Sequence, residues 1–463
     1  MRADHHAALL AQIRDRPDDD GPRLVFADAL SERGDPWGEL IVASCEVARL
    51  AREGVVDAER RRGLARRCRA IQEERWRERR WTFGFSLERG FCRSVTIDAA
   101  EAAQVAGYEF AVLREVKLGE SGPSLMAFAG WPSLGHIDRL VLRNESHYHG
   151  SHWANPKERA ARIAALARIA EGTRLSSLVL QGVLLDDDEI AALADSRLRR
   201  SLRRLAIVSG PRLAAEVDWQ ALEALELVGM RLAAEDITRL LRRPALDSVT
   251  SLDVSVSKLG EAGMRAILDR ALPNLRVLRI WQADLEARAM ATLAGSSLVH
   301  RLTGLAVGEE FTDPTAGALG AIAEAAGQLV ELEVDQRSLK EAGAAEIVRS
   351  LRGPLRKLRL RGGEHGLAIV TALVNNPALR ELRWLDLSGQ PISREAAAVL
   401  ASAELPSLEW LDLTDCRLDR EAAHALACSP TLPRRVTLRL YHNGSAPDAV
   451  SETLLARFHD VRF

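Results

Sequence analysis

The segment Leu408–Thr431, LEWLDLTDCRLDREAAHALACSPT, shows the repeating unit of this chain. Leu411 and Leu413 alternate with polar neighbours, so both point to one face of a short strand. After a turn, Leu418, Ala422, Ala425 and Leu426 recur at helical spacing, with Asp419 near the expected cap. The unit therefore reads as strand, turn, helix. Its opening hexad, Leu-x-x-Leu-x-Leu or a close variant, also begins at Leu175, Leu202, Leu222, Val249, Leu275, Leu302, Leu329, Leu355 and Leu382. The intervals are 26 or 27 residues, apart from 20 between Leu202 and Leu222. Each hexad leads into a matching helical stretch, such as LAAEDITRLLRR from Leu232, LKEAGAAEIVRSL from Leu339 and ISREAAAVLASA from Ile392. A unit this small cannot bury its own apolar face and does so only against its neighbours, which is the signature of a solenoid. Tandem units place the strands in a parallel sheet with helices outside. Helices need more lateral room than strands at ~4.8 Å spacing, so the stack is expected to curve with its strands on the concave side.

The third, fifth and seventh residues from each hexad start face away from the helices. Across strands they form rows: Lys357, Trp384 and Trp410; then Arg359, Asp386, Asp412 and Arg439; then Arg361, Ser388, Thr414 and Tyr441. Arg279 and Trp281 lie further back, with Glu331, Glu333 and Asp335 after them. Trp, Tyr and Arg concentrate binding energy at protein interfaces, so these concave positions are the candidate partner-binding residues. The competing reading is that the two tryptophans shield each other and bind nothing. Mixed acidic and basic residues favour a partner with a charge pattern over a uniformly charged one.

The chain has 463 residues, more than the ~250–300 at which one globular core stops growing. No long Gly, Ser or Pro linker divides it, and an elongated repeat body resolves that tension. A formal net charge of −2 argues against a bulk polyanion binder and carries no membrane-surface signal. Lys is scarce at 5 residues against 58 Arg, which reads as the codon bias of a GC-rich genome. Cys45, Cys68, Cys92, Cys416 and Cys428 are odd in number and widely spaced, which supports neither a disulfide framework nor a zinc knuckle. The first 20 residues lack the apolar core of a signal peptide, and no run reaches the ~18 apolar residues of a membrane span. A reducing cytoplasm is the expected compartment.

Residues 1–50 read as a small all-α domain. Ala7, Leu10 and Ile13, then Leu24, Val25, Ala27 and Leu30, then Trp37 to Leu50 give three helices. Asp20 sits at an N-cap position with Pro22 in the first turn, and Gly34-Asp35-Pro36 ends the second helix. The run Asp18–Asp20 has the composition of a cation site, but capping accounts for Asp, Gly and Pro together. Residues 51–90 are Arg-dense, with twelve Arg against six acidic residues between Arg49 and Arg80. They are expected to form a helical collar that covers the apolar end of the first repeat. Trp76 and Trp81 beside this basic helix offer a nucleic-acid contact as the competing reading, which the interleaved acidic residues disfavour. Residues 91–463 form the repeat domain. Its degenerate part, 91–174, has strands at Cys92–Ile97, Leu113–Leu118 and Ile137–Leu142. Regular repeats occupy 175–434, and 435–463 form a C-terminal cap with a strand at Arg435–Leu440 and a helix around 449–458.

The stretch RPDDDGPRLVFADALSERGDPWGELI, residues 16–41, resembles the N-terminal "repeat-companion" domain that precedes repeat regions in large bacterial paralogue families. The resemblance covers roughly 7–45, and LERGFCRSVTI at 87–97 resembles the segment next to that domain in leucine-rich members. Ala29 stands where the family usually has Trp. This resemblance implies domain organisation and bacterial origin, and no reaction. The period and helix content of 175–440 resemble the ribonuclease-inhibitor-like subclass of leucine-rich repeats, with a weaker likeness over 91–142. It implies an α/β horseshoe with a concave parallel sheet and convex helices. The Asn often found after the strand is replaced by Cys416, Gln390 and Ala283, so the turn hydrogen bonds must be met otherwise.

Between the strands at Ile137 and Leu175 the interval lengthens to 38 residues. The insert NESHYHGSHWANP carries His147, Tyr148, His149, His152 and Trp153. Three His at this spacing could ligate zinc or copper, but only Glu145 accompanies them. A partner-contacting specificity loop and a plain surface insertion fit as well, and no metal is assigned. No nucleophile elbow, H-E-x-x-H helix, P-loop or G-x-G-x-x-G turn occurs. Gly362, Gly363 and Gly366 read as a turn between strand and helix, and Asp186–Glu189 as helix caps. No catalytic residue or cofactor is assigned. The expected function is a non-catalytic protein–protein interaction module: an adaptor, sensor or inhibitor subunit gripping a protein partner, with neither membrane nor nucleic acid involved. The alternative is a regulatory component or substrate of a co-encoded protease or other enzyme, with the repeats recognising the target.

Overall fold

The computed structural model describes residues 2–53, 58–81, 83–98, 101–105, 107–119, 122–131, 134–143, 156–183, 185–208, 214, 216–229, 231–308, 313–335, 341–443, 448–458 and 460–462. They fall into two compact units, one of residues 1–53 with 59–222 and one containing 223–463. The division falls inside the stretch expected to be a single repeat domain, at the short interval between Leu202 and Leu222. Both units are α/β arrays in which parallel strands alternate with helices, as in a leucine-rich-repeat solenoid.

The first unit opens with four helices: α1 (Arg2–Asp15), α2 (Gly21–Ser31), α3 (Trp37–Glu53) and α4 (Ala58–Arg79). Trp37 is fully buried, and its indole N–H donates to the Gly90 carbonyl at 2.8 Å. α2 and α3 approach closely at Gly38, where a Cβ would lie 2.5 Å from the Ala27 carbonyl oxygen and 3.1 Å from the Ser31 nitrogen. Backbone atoms cannot give way as a side chain can. Gly38→Ala is therefore expected to cost ~1–3 kcal/mol, read as a lowered denaturation midpoint of the first unit by circular dichroism.

Asp20 occupies the N-cap position of α2, but its side chain makes no cap bond. It pairs instead with Arg52 at 2.6 Å and Arg89 at 3.3 Å, while Asp19 accepts from the Gly21 N–H at 2.9 Å and Asp18 lies 3.4 Å from Arg89. Two guanidinium groups outcompete a lone backbone N–H for this carboxylate. The collar also differs from expectation. α4 ends at Arg79, and Gly84–Glu88 form a strand, β1, antiparallel to β2 (Phe91–Ile97). Arg89 and Gly90 between them both have positive φ, 49° and 83°, as a two-residue hairpin turn requires. Trp81 is 4% exposed, with its ring packed against Phe83, Phe85 and Phe110, so it offers no face for stacking on a base.

After β2 come β3 (Glu115–Gly119), β4 (Arg139–Arg143), β5 (Ser177–Gln181) and β6 (Arg204–Ile207), paired in parallel in chain order. Val95, Val116, Leu140, Leu178 and Leu205 lie side by side across these strands, and none is more than 3% exposed. Leu140, Leu142, Leu178 and Leu180 share an apolar space with Leu166 and Ile169 of helix Pro156–Gly172 and Leu193 of helix Asp187–Ala194. Those two helices are also tied by a buried ion pair, Arg162 to Glu189 at 2.6 Å, both groups at most 2% exposed. Glu189 closes a capping box with Asp186 as well, each backbone N–H donating to the other's carboxylate at 3.0 Å.

Among the described residues the second unit holds ten strands. They are β7 (Ala224–Leu227), β8 (Ser251–Asp253), β9 (Val277–Trp281), β10 (Gly304–Gly308), β11 (Glu331–Asp335), β12 (Lys357–Arg361), β13 (Trp384–Asp386), β14 (Trp410–Asp412), β15 (Thr437–Arg439) and β16 (Asp460–Arg462). Its own leucine row runs through Leu225, Leu252, Leu278, Leu305, Leu332, Leu358, Leu385, Leu411 and Leu438 and ends at Val461 of β16. β16 lacks a hexad and does not stand out from the sequence.

Two of the turn positions that lack Asn, Gln390 and Cys416, meet their hydrogen bonds with other donors. The Gln390 amide donates to the Gly362 carbonyl, and the Cys416 thiol to the Leu387 carbonyl at 3.1 Å. One repeat later Asn443 itself donates to Leu413 at 2.7 Å and Leu440 at 3.0 Å. Ala283, buried like Gln390 and Cys416, has no side-chain donor to contribute. Burial pushes the thiols of Cys45 and Cys416 up to about 12, and that of Cys92 higher still, because the thiolate loses its solvation. Cys428 is exposed. Iodoacetamide at pH 8 should thus label Cys428 in the native protein and reach Cys45, Cys92 and Cys416 only after unfolding, as peptide mass mapping would read.

Candidate functional site

In the second unit the strands present alternate residues away from the buried leucines. The pairing register sets Lys357, Trp384, Trp410 and Thr437 in one row, and Glu333, Arg359, Asp386, Asp412 and Arg439 in the next. Trp384 and Trp410 are half-buried and stack face to face, centroids 4.5 Å apart and planes 13° apart. Both indole nitrogens are screened from solvent, and neither has a hydrogen-bond partner among the described residues. Arg439 extends the stack, its guanidinium 5.6 Å from the Trp410 ring and 5.1 Å from the Tyr441 ring. Arg462 adds a second cation 5.4 Å from Trp410, from β16, whose lack of a hexad gave no sign of it in the sequence. Aromatic faces flanked by two arginines form a surface suited to aromatic or apolar groups and to carboxylates at its edge.

The charged row is more internally committed than an open recognition surface would be. Glu333 is 7% exposed and holds Lys357 at 2.5 Å and Arg359 at 3.0 Å, while Arg359 also reaches Asp386 at 2.8 Å. Burial would raise the Glu333 carboxyl, but Lys357 and Arg359 outweigh it and hold the group below its ordinary value. Asp386 and Asp412 are buried. Each accepts the N–H two residues on, Ser388 at 2.9 Å and Thr414 at 3.0 Å, and Asp412 also pairs with Arg439 at 3.2 Å. These carboxylates hold the strand ends, in the geometry that short acidic side chains adopt at turns. Of the expected partner-binding groups, then, Glu333, Asp386 and Asp412 stand beneath the surface as supports. Arg361 is exposed, with its Nε on the Ser388 hydroxyl at 3.1 Å.

Further back, Arg279 stands 3.8 Å from Glu331, and Asp335 is half-buried. The Trp281 ring lies across Gly308, where an added Cβ would collide with the ring and approach the Asp335 side chain. β10 carries Gly304, Ala306 and Gly308 on this face, so small residues leave room for the large ring. Trp281 and the Trp384–Trp410 pair are thus separate aromatic features. His147, Tyr148, His149, His152 and Trp153 lie outside the described residues. Among the described residues no three His, Cys, Asp or Glu gather as metal ligands, and no helix is long and apolar enough to cross a membrane.

No known protein family matches the chain, and no curated protein matches it either. Among solved structures it is similar to the complex of Rad7 and Elc1 from yeast, with 15% identity over 91% of this chain and 94% of that one and a TM-score of 0.43. It is also similar to an internalin, InlF, from Listeria monocytogenes str. 4b F2365, with 13% identity over 80% of this chain and 86% of that one and a TM-score of 0.34.

Proposed function

We propose that this chain is a non-catalytic interaction module that holds a protein partner on the open face of its second-unit sheet. The observation that carries this reading is the stacked Trp384–Trp410 pair beside Arg439, Arg462 and Tyr441. Half-buried indoles with unsatisfied N–H groups, set among arginines, have the residue types that dominate interface hot spots. The exposed Arg361 and the half-buried Lys357 and Arg279 form its polar surround, and Glu333, Asp386 and Asp412 keep that surround in place. As an adaptor, sensor or inhibitor subunit, the protein would act by occupancy of this face.

The test compares charge reversals on opposite sides of the sheet, using protein partners captured from the native host and quantified by mass spectrometry. Arg361→Glu should reduce capture of a stoichiometric partner by about tenfold, because it inverts charge at the rim of the aromatic patch. Glu395→Arg, on the exposed side of helix Arg394–Ala401, should leave capture unchanged. Equal loss with both variants, or with neither, would remove this face from consideration.

A further inference from the structure

A cavity of about 310 Å³ in the first unit lies among α1, α2 and the first strands, at the lower end of the size range for small-molecule sites. Its walls hold Arg14, Arg23, Arg93 and Arg114 against only two carboxylates, Glu88 and Asp138. The carboxylates are already matched. Glu88 binds Arg93 at 2.6 Å, and Asp138 stands 3.7 Å from Arg114. Two cations therefore remain in excess. Arg14 bonds only neutral acceptors among the described residues, the Ala111 carbonyl at 2.9 Å and the His136 ring at 2.8 Å. Arg23 is 2% exposed and donates from Nη1 to the Asp19 carbonyl at 3.0 Å. Its guanidinium sits 5.9 Å from the Phe91 ring centroid, and its Nε is screened from solvent with no hydrogen-bond partner among the described residues. No carboxylate of the described residues lies within ion-pair distance of it. A buried cation without a counter-ion is costly, so such a group inside a cavity marks a place where an anion belongs.

We propose that this cavity binds a small phosphate-bearing molecule, with Arg23 and Arg14 gripping the phosphate and Ile13, Pro17 and Val112 lining the space for its organic part. A guanidinium offers paired N–H donors that match the oxygen spacing of phosphate, and burial strengthens the contact. Desolvation lowers the Arg23 pKa more than the charges of Asp20 and Glu88 nearby raise it, and a bound dianion would oppose that shift. Neither the cavity nor its arginines belong to the partner surface proposed for the second unit, so the two readings stand or fall separately.

The test is a titration of the full chain with inorganic phosphate at pH 7.5, monitored by phosphorus NMR with ionic strength held constant by chloride. Saturable binding is expected, together with a rise in the thermal midpoint beyond that given by chloride. Arg23→Gln and Arg14→Gln should each weaken binding by about tenfold or more. Should Arg23→Gln fail to fold, the half-buried Arg14→Gln alone decides. The proposal is overturned by an absence of saturable binding in the unaltered protein, by unchanged binding in Arg14→Gln, or by malonate binding more tightly than phosphate.

Discussion

The double substitution Trp384→Ala, Trp410→Ala is expected to weaken capture of a bound protein partner by at least about tenfold while leaving the fold in place. The two rings contact each other rather than the leucine core, which lies on the opposite side of β13 and β14. Their removal therefore opens no cavity beneath the helices. A central aromatic anchor is worth ~2 kcal/mol or more at an interface, and about 1.4 kcal/mol already corresponds to tenfold. Leu385 and Leu411, the next residues along each strand, remain fully buried and keep the register. The measurement is a pull-down or calorimetric titration against the captured partner, with circular dichroism recorded alongside. Unaltered affinity in a folded double variant would leave the ring pair as mutual shielding and nothing more.

Glu189→Ala should destabilise the first unit by ~3–5 kcal/mol, read as a lower chemical-denaturation midpoint. This residue does two things at once. Its carboxylate neutralises Arg162 at 2.6 Å in a setting where both are at most 2% exposed, and it closes the capping box with Asp186. Removal takes from a buried guanidinium the carboxylate that lies 2.6 Å from it, and that electrostatic loss in a desolvated setting exceeds the lost cap at ~1 kcal/mol. The double variant Arg162→Met, Glu189→Leu should recover most of the loss, because apolar residues of similar volume often replace a buried ion pair without penalty. A double variant as unstable as Glu189→Ala would place the cost in the cap instead.

The hexads announce the buried leucines from Leu178 to Leu411, because a strand of period two needs only local alternation to choose its buried side. The same arithmetic places Trp384 beside Trp410 and Arg359 beside Asp386, since parallel repeats of nearly constant length align equivalent positions. Burial within that row could not be read in the same way. Glu333, Asp386 and Asp412 look like surface charges in sequence, yet each finds its cation or turn N–H on a neighbouring strand or two residues onward. β1 and β16 were hidden because a strand that joins an existing sheet edge can take its partner's hydrogen bonds without a hexad of its own. The arginine cavity was equally invisible. Arg14, Arg23, Arg93 and Arg114 are spread over a hundred residues of an Arg-rich chain, where nothing distinguishes them from solvated charge.

Periodicity alone was enough to establish the strand–turn–helix unit, its parallel stacking and the rows of side chains on the sheet, because those arise from local geometry repeated at constant spacing. Tertiary packing settled which charges are paired, which rings stack and where cations are left without a counter-ion. Those properties depend on what surrounds a group in space, and distant parts of the chain supply the surroundings.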